Sequence, residues 1–269
     1  MPLGIRAENH GKQTLTQYFV DLHRLTPFPI AQNKPALCNQ HYYTPLRGIK
    51  QANFGVFENS IASGEIFMYN REKKGGECLK KENILHIFSR MPNLETERLL
   101  LRPLRVSDTD DMYAYAKDPE VTRYLLWRPH PHPQHTRSYL EYLAGRYRIG
   151  MHYEWAIVLK EEDRMIGTCG FVTIDCTHRR AEVGYVLNPD YRGRGIMPEA
   201  LGRVLRFGFD MLGLHRIEAR YMVGNDASLR VMQKVGMRYE GVARDGMLVK
   251  GAYRDIATAA ILQNEFHPE

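Results

Sequence analysis

The chain has 269 residues, 43% hydrophobic and 25% charged, the balance of a folded globular protein, and no run approaches the about 18 consecutive apolar residues of a bilayer-crossing helix. Its net charge of +6 lies mostly at the front: residues 1–90 hold 12 Lys and Arg against 7 Asp and Glu, and the remainder holds 25 against 24. A nearly neutral remainder without a Lys/Arg stripe argues against sequence-independent nucleic-acid binding as the main work. Cys38, Cys78, Cys169 and Cys176 form no Cys-x-x-Cys pair, which suits unpaired thiols in a cytoplasmic protein better than a disulfide framework or a zinc site. The opening residues have no apolar core behind Arg6, so no secretory signal is expected.

In chain order, residues 1–90 read as an N-terminal extension without sustained periodicity, and residues 91–269 as the folded domain. Two readings of residues 1–78 stay open. One is a natural extension that docks on the domain or binds an acidic partner. The other is a translated leader: Lys73-Lys74-Gly75-Gly76-Glu77 is encodable as AAA-AAG-GGA-GGA-GAA, a purine-rich ribosome-placing element, with Leu79 at start-codon distance behind it. From Thr96 to Leu104, Leu99-Leu100-Leu101 marks a first strand, and Ser107 with Asp108 to Asp111 an acidic helix start. Helical segments are expected over residues 108–148, interrupted by prolines. Trp155 to Leu159 and Met165 to Ile174 read as a hairpin around Lys160-Glu161-Glu162-Asp163, followed by a strand over Glu182 to Leu187. Leu201, Val204, Leu205 and Leu212 recur at helical spacing from Met197 onward, with Gly213 as terminator. A strand from Ile217 to Val223, Asn225 as N-cap of a short helix ended by Gly236, and two last strands complete an α+β order.

Chemistry concentrates between Leu187 and Met197. A strand, a loop carrying Arg192-Gly193-Arg194-Gly195-Ile196 and a helix N-terminus present a row of backbone N–H groups reinforced by the helix dipole, which suits an anion such as pyrophosphate. Alone, such a loop is more often a plain solvated turn. It stands, however, within Arg192-x-x-Gly195-x-Met197, flanked by Ala181-Glu182-Val183-Gly184-Tyr185-Val186-Leu187 and Pro198-Glu199-Ala200-Leu201. Leu94 to Pro103 precedes it, and Arg216-Ile217-Glu218-Ala219, Asn225-Asp226-Ala227-Ser228 and Lys234-Val235-Gly236-Met237 follow in order. Together these segments, spanning about residues 91–265, resemble the GNAT acetyltransferases, in the branch of the ribosomal-protein alanine N-acetyltransferases. Met197 departs from that pattern, where Gly or Ala is usual, and its side chain must point away from the cofactor.

The resemblance implies a GNAT-type acyl-CoA N-acyltransferase fold: a mixed, mostly antiparallel splayed sheet flanked by helices. It also implies acetyl-CoA as cosubstrate, with Val186 and Leu187 pairing the pantetheine amides, Arg192, Gly193, Arg194, Gly195, Ile196 and Met197 around the pyrophosphate, Asn225 nearby, and no metal. The acceptor is then a protein N-terminus, such as that of a ribosomal protein. A small amine (amino sugar, polyamine or amino-acid-like toxin) and a non-catalytic acetyl-CoA-binding role on the ribosome remain alternatives. Acetyl transfer needs a neutral amine and a proton for the leaving thiolate. Glu182 and Glu154 are the base candidates, each equally readable as a strand-end charge. No tyrosine lies between Asp226 and Arg238, so the resemblance moves the acid role to Ser228, whose plainer job is to support the helix start. His130, His132 and His135, with Trp127, read as a wall of the acceptor pocket rather than a metal site, because prolines hold that stretch extended and no acidic or cysteine ligand accompanies it. Tyr139, Tyr142 and Tyr147 read as packing residues.

Overall fold

The computed structural model describes residues 79–267, and the leader reading of residues 1–78 lies outside them. The first element is a helix ahead of the boundary expected at Met91: α1 (Lys81–Ser89) buries Ile84 and Phe88, one helical turn apart. The Phe88 ring is fully buried and meets Tyr153, Trp155, Phe171 and Phe207 edge-on at centroid distances of 4.7–6.5 Å. Residues 81–89 therefore belong to the domain core, and its start moves forward from 91.

The expected first strand is broken into β1 (Leu94–Glu95) and β2 (Leu99–Arg102), which pair with each other antiparallel. A short 3-10 turn at Val106–Asp108 leads into α2 (Thr109–Ala116), then α3 (Pro119–Thr122) and α4 (Pro133–Arg148). Asp108 is buried and receives Arg102 through two hydrogen bonds of 2.7 and 2.8 Å, the bidentate geometry that fits a guanidinium to a carboxylate. That pair ties the helical side of the molecule to β2.

β3 (Tyr153–Leu159), β4 (Arg164–Asp175) and β5 (Arg180–Leu187) then run antiparallel in sequence. α5 (Ile196–Asp210) crosses over to β6 (Arg216–Met222), and α6 (Asp226–Lys234) leads to the hairpin of β7 (Arg238–Val249) and β8 (Ala252–Leu262). The eight strands form one sheet in the order β1-β2-β3-β4-β5-β6-β8-β7, antiparallel throughout except for β5 with β6. This is the mixed, mostly antiparallel α+β sheet that the sequence implies. α5 supplies the crossover that the parallel pair demands, and buries Ala200, Leu201, Val204, Leu205 and Phe207. The Trp155 indole, also fully buried, satisfies its N–H on the Pro92 carbonyl at 2.8 Å.

Candidate active site

The parallel pair fails halfway. β5 stays bonded to β4 as far as Leu187, but pairs β6 only from Arg180 opposite Arg216 to Val183 opposite Ala219. β6 meanwhile continues along β8 to Met222. The two strands splay apart, and among the described residues no strand pairs with the β6 side of Gly184 to Leu187. A β4 register shift between Phe171 and Thr173, opposite the start of this stretch, adds the local twist that helps to part them. An extended molecule with amide groups can add to such an edge as a strand does. Val186 and Leu187 lie there, both partly buried.

Beyond Leu187 the chain turns sharply. Buried Asn188 donates its N–H to Ile166 at 2.8 Å and accepts from the Asp190 N–H on its side chain. Gly193 and Gly195 both take left-handed backbone, φ +76° and +74°, and Gly195 is the N-cap of α5. Only glycine adopts that conformation without penalty, and two such residues turn successive N–H groups toward one side. Arg192, Gly193 and Arg194 are exposed, whereas the side chains of Ile196 and Met197 are buried. The unusual Met197 therefore packs inward and leaves the loop surface to main chain. A brace holds the loop from behind: Arg98 donates to the Arg194 carbonyl at 3.0 Å and to Glu199 at 2.7 Å, and Glu199 also accepts from the Thr96 hydroxyl at 2.5 Å.

Ser228 lies in the first turn of α6, where Asn225 accepts its N–H in the expected capping role. Its hydroxyl is 2.9 Å from the Tyr185 hydroxyl, and Tyr185 also donates to the Ser228 carbonyl at 3.1 Å. Tyr185 rises from the splayed half of β5, so this contact joins α6 to the opened edge. Burial pushes the Tyr185 phenol up, against the hydrogen bond to Ser228. A tyrosine thus reaches Ser228 from the strand rather than from the α6 helix, and Tyr185 lies within the strand pattern of residues 182–187.

The two carboxylates sit differently. Glu182, still within the paired part of β5, is bound to Arg220 at 2.6 Å. Glu154, near the entrance of β3, lies level with Gly170 of β4 and, across it, Gly184 of β5, where the splay begins. No arginine or lysine is bound to its side chain among the described ion pairs; its neighbours there are the Thr168 hydroxyl and His152, whose Nε2 is 3.7 Å from Oε2. Burial pushes the Glu154 carboxyl up to about 7, against the hydrogen bond from Thr168. Burial, and then the charge of Glu154, push up the phenols of Tyr115 on α2 and Tyr139 on α4. Tyr147 donates to the Glu154 carbonyl at 2.5 Å and so fixes the backbone from which the carboxylate hangs. Tyr142, by contrast, is exposed.

The histidine stretch has structural work. His130 Nδ1 contacts Thr136 at 2.8 Å, and His132 caps α4 by accepting the His135 N–H. Among the described residues no group of three or more His, Cys, Asp or Glu is arranged to hold a metal ion, and no helix is long and apolar enough to cross a membrane.

The splayed parallel pair and the glycine loop that caps the crossover helix lie within residues 98–238, which match the acetyltransferase (GNAT) domain family. The chain belongs to the GNAT acetyltransferases. It is similar to the uncharacterized N-acetyltransferase p20 of Bacillus licheniformis, with 35% identity over 65% of this chain and 99% of that protein. The crystal structure of a GNAT-family acetyltransferase from Bacillus anthracis superimposes with a TM-score of 0.58 at 29% identity, covering 65% of this chain and all of that one. More distant are two Escherichia coli proteins. The ribosomal protein uS5 alanine N-acetyltransferase is 26% identical over 65% of this chain and 93% of its own length, and the spermidine N(1)-acetyltransferase 25% identical over 66% and 92%. The GNAT enzyme described here is an acetyl-CoA-dependent N-acetyltransferase, and the opened edge and glycine loop fit an extended amide-bearing arm and a pyrophosphate, respectively.

Proposed function

We propose that this enzyme acetylates the N-terminal α-amine of a protein, such as a ribosomal protein, with Glu154 as general base and the Ser228 hydroxyl as hydrogen-bond donor to the leaving sulfur. Acetyl-CoA, when bound, supplies the activated acyl group. Gly184 to Leu187 would align its pantetheine amides, and the main chain from Arg192 to Met197 would hold its pyrophosphate beside the α5 N-terminus.

What supports an α-amine acceptor is the setting of Glu154, a partly buried carboxylate with no arginine or lysine bound to it among the described ion pairs. An α-ammonium, with pKa about 7.7–8.0, passes its proton to a carboxyl of about 7 at a cost of about one unit, whereas an alkylammonium of the lysine type, about 10.4, must climb more than three. The surroundings of Glu154 agree. They are the phenols of Tyr115, Tyr139 and Tyr147, the Thr168 hydroxyl and the His152 imidazole. A polyamine carries several cationic nitrogens and calls for more than one unpaired carboxylate along its length. Glu182, bound to Arg220, is the weaker base candidate because a cation already holds its lone pairs.

The competing acceptor is a small amine, favoured by the likeness to the spermidine enzyme. An acceptor screen decides: peptides with free N-termini, spermidine, amino sugars and amino acids, each tested for thiol release from acetyl-CoA. Highest kcat/KM on peptides supports the proposal; preference for spermidine overturns it. No release with any amine favours a non-catalytic role.

A further inference from the structure

His152 and Glu154 stand two residues apart at the entrance of β3, so their side chains share one face of the strand. The His152 Nε2 is buried and has no hydrogen-bond partner among the described residues, and Glu154 Oε2 is 3.7 Å away. That separation is too long for a hydrogen bond and one side-chain adjustment short of one. A buried acceptor left unpaired costs about 1–3 kcal/mol, so its retention here calls for a state in which it is satisfied. The Tyr147 ring packs against the imidazole at 4.9 Å and fixes its plane.

We infer that His152 is the positioning residue of the base: its Nε2 receives the hydrogen bond of Glu154 once that carboxylate has taken the proton of the acceptor amine. This rests on the reading of Glu154 as base. The step balances as R–NH3+ plus Glu154 carboxylate giving R–NH2 plus Glu154 carboxylic acid. The new O–H then donates to Nε2, with the imidazole neutral and its own proton on Nδ1. The amine nitrogen keeps its freed electron pair for attack on the thioester carbonyl.

The surroundings keep the ring neutral. Burial, and then the charge of Arg146, hold the His152 imidazole down at about 4. The other groups facing the pair are Tyr115 from α2, Tyr139 and Tyr147 from α4, and Cys169 from β4, all pushed up by burial and so neutral between pH 5 and 9. Burial also raises the phenol of Tyr153, beside them on β3. Within that window Glu154 alone changes charge. A neutral acceptor stabilises only its protonated form, which raises the pKa of the base toward that of an α-ammonium.

The test compares wild type with His152→Phe, which keeps ring and volume but deletes the acceptor, and His152→Gln, which restores an acceptor near the Nε2 position. Two quantities are followed with pH: kcat at saturating substrates, and the side-chain carboxyl carbon resonance of Glu154. The proposal expects the Glu154 titration to move at least half a pH unit lower in His152→Phe and to return in His152→Gln, with acetyl-CoA affinity unchanged in both. No movement, an upward movement, or equal behaviour of the two variants would overturn it. The resonance isolates His152 from turnover: a kcat limb that persists in Glu154→Gln removes the base reading, while the resonance still reports whether His152 accepts from Glu154.

Discussion

Replacing Glu154 with glutamine removes the titrating group and keeps the shape. If Glu154 is the base and its carboxyl titrates near 7, about one-eleventh of it is ionised at pH 6 and about ten-elevenths at pH 8, so kcat rises about tenfold between them. A carboxyl at its ordinary value would give a nearly flat profile over the same range. The measurement is kcat with acceptor and acetyl-CoA both saturating, because kcat/KM also carries the ionisation of the free amine. Glu154→Gln should abolish the limb and lower kcat by about 10²–10⁴. The same burial has a thermodynamic signature of defined sign. A raised carboxyl means that the folded chain keeps, between pH 4.5 and about 7, a proton the unfolded chain has released, so stability falls as pH rises through that window. The shift is worth about 3 kcal/mol at most, and less in practice because a quarter of the side chain is exposed. Glu154→Gln should therefore melt higher than wild type at pH 8 and close to it at pH 5. A variant that keeps the wild-type kcat limb, or gains no stability at pH 8, refutes the reasoning.

Gly195→Val places a β-branched side chain at φ +74° on the loop surface, and calorimetry should show acetyl-CoA affinity at least tenfold weaker; an unchanged Kd with an intact fold removes the pyrophosphate assignment. Ser228→Ala should lower kcat by about tenfold or more with little change in acetyl-CoA Kd, because a donor to sulfur matters as charge develops there. Equal kcat would reduce Ser228 to its partnership with Tyr185.

What the sequence disclosed about the site is what local chain chemistry controls. The loop was legible because glycines at Gly193 and Gly195 announce left-handed backbone, and α5 because its apolar residues repeat at one period over 15 residues. The capping role of Asn225 was equally local. The splay was not legible from periodicity, since the alternation of β5 continues unchanged through Val183 while its partner departs; only the family resemblance implied it. The environment of Glu154 was hidden for a related reason. Its phenols come from α2 and α4 and its hydroxyl from β4, so nothing within a few residues of it separates a buried base from a strand-end charge. Tyr185 and Ser228 meet across 43 residues of sequence, which no spacing rule connects.

The start of the domain was missed for the opposite reason, because its signal was local and short. Ile84, Phe88 and Met91 recur at helical spacing, but the stretch adjoins a segment without pattern that hides its short signal. Its energetic weight is large: Phe88 has no exposed surface and touches four aromatic rings drawn from β3, β4 and α5. Truncating a buried phenylalanine to alanine costs about 3–5 kcal/mol, a large share of the about 5–15 kcal/mol that holds a typical domain together. Removing α1 altogether also uncovers Trp155 and Phe207, so a chain beginning at Met91 should lose at least as much as Phe88→Ala. A chain beginning at Leu79 keeps those contacts. We expect the Leu79 chain to unfold in urea with a single transition and to turn over acetyl-CoA, and the Met91 chain to unfold at much lower urea or to aggregate. Equal urea midpoints for the two would mean that α1 contributes nothing to the core, and loss of acetyl transfer by a folded Leu79 chain would show that catalysis depends on the residues before it.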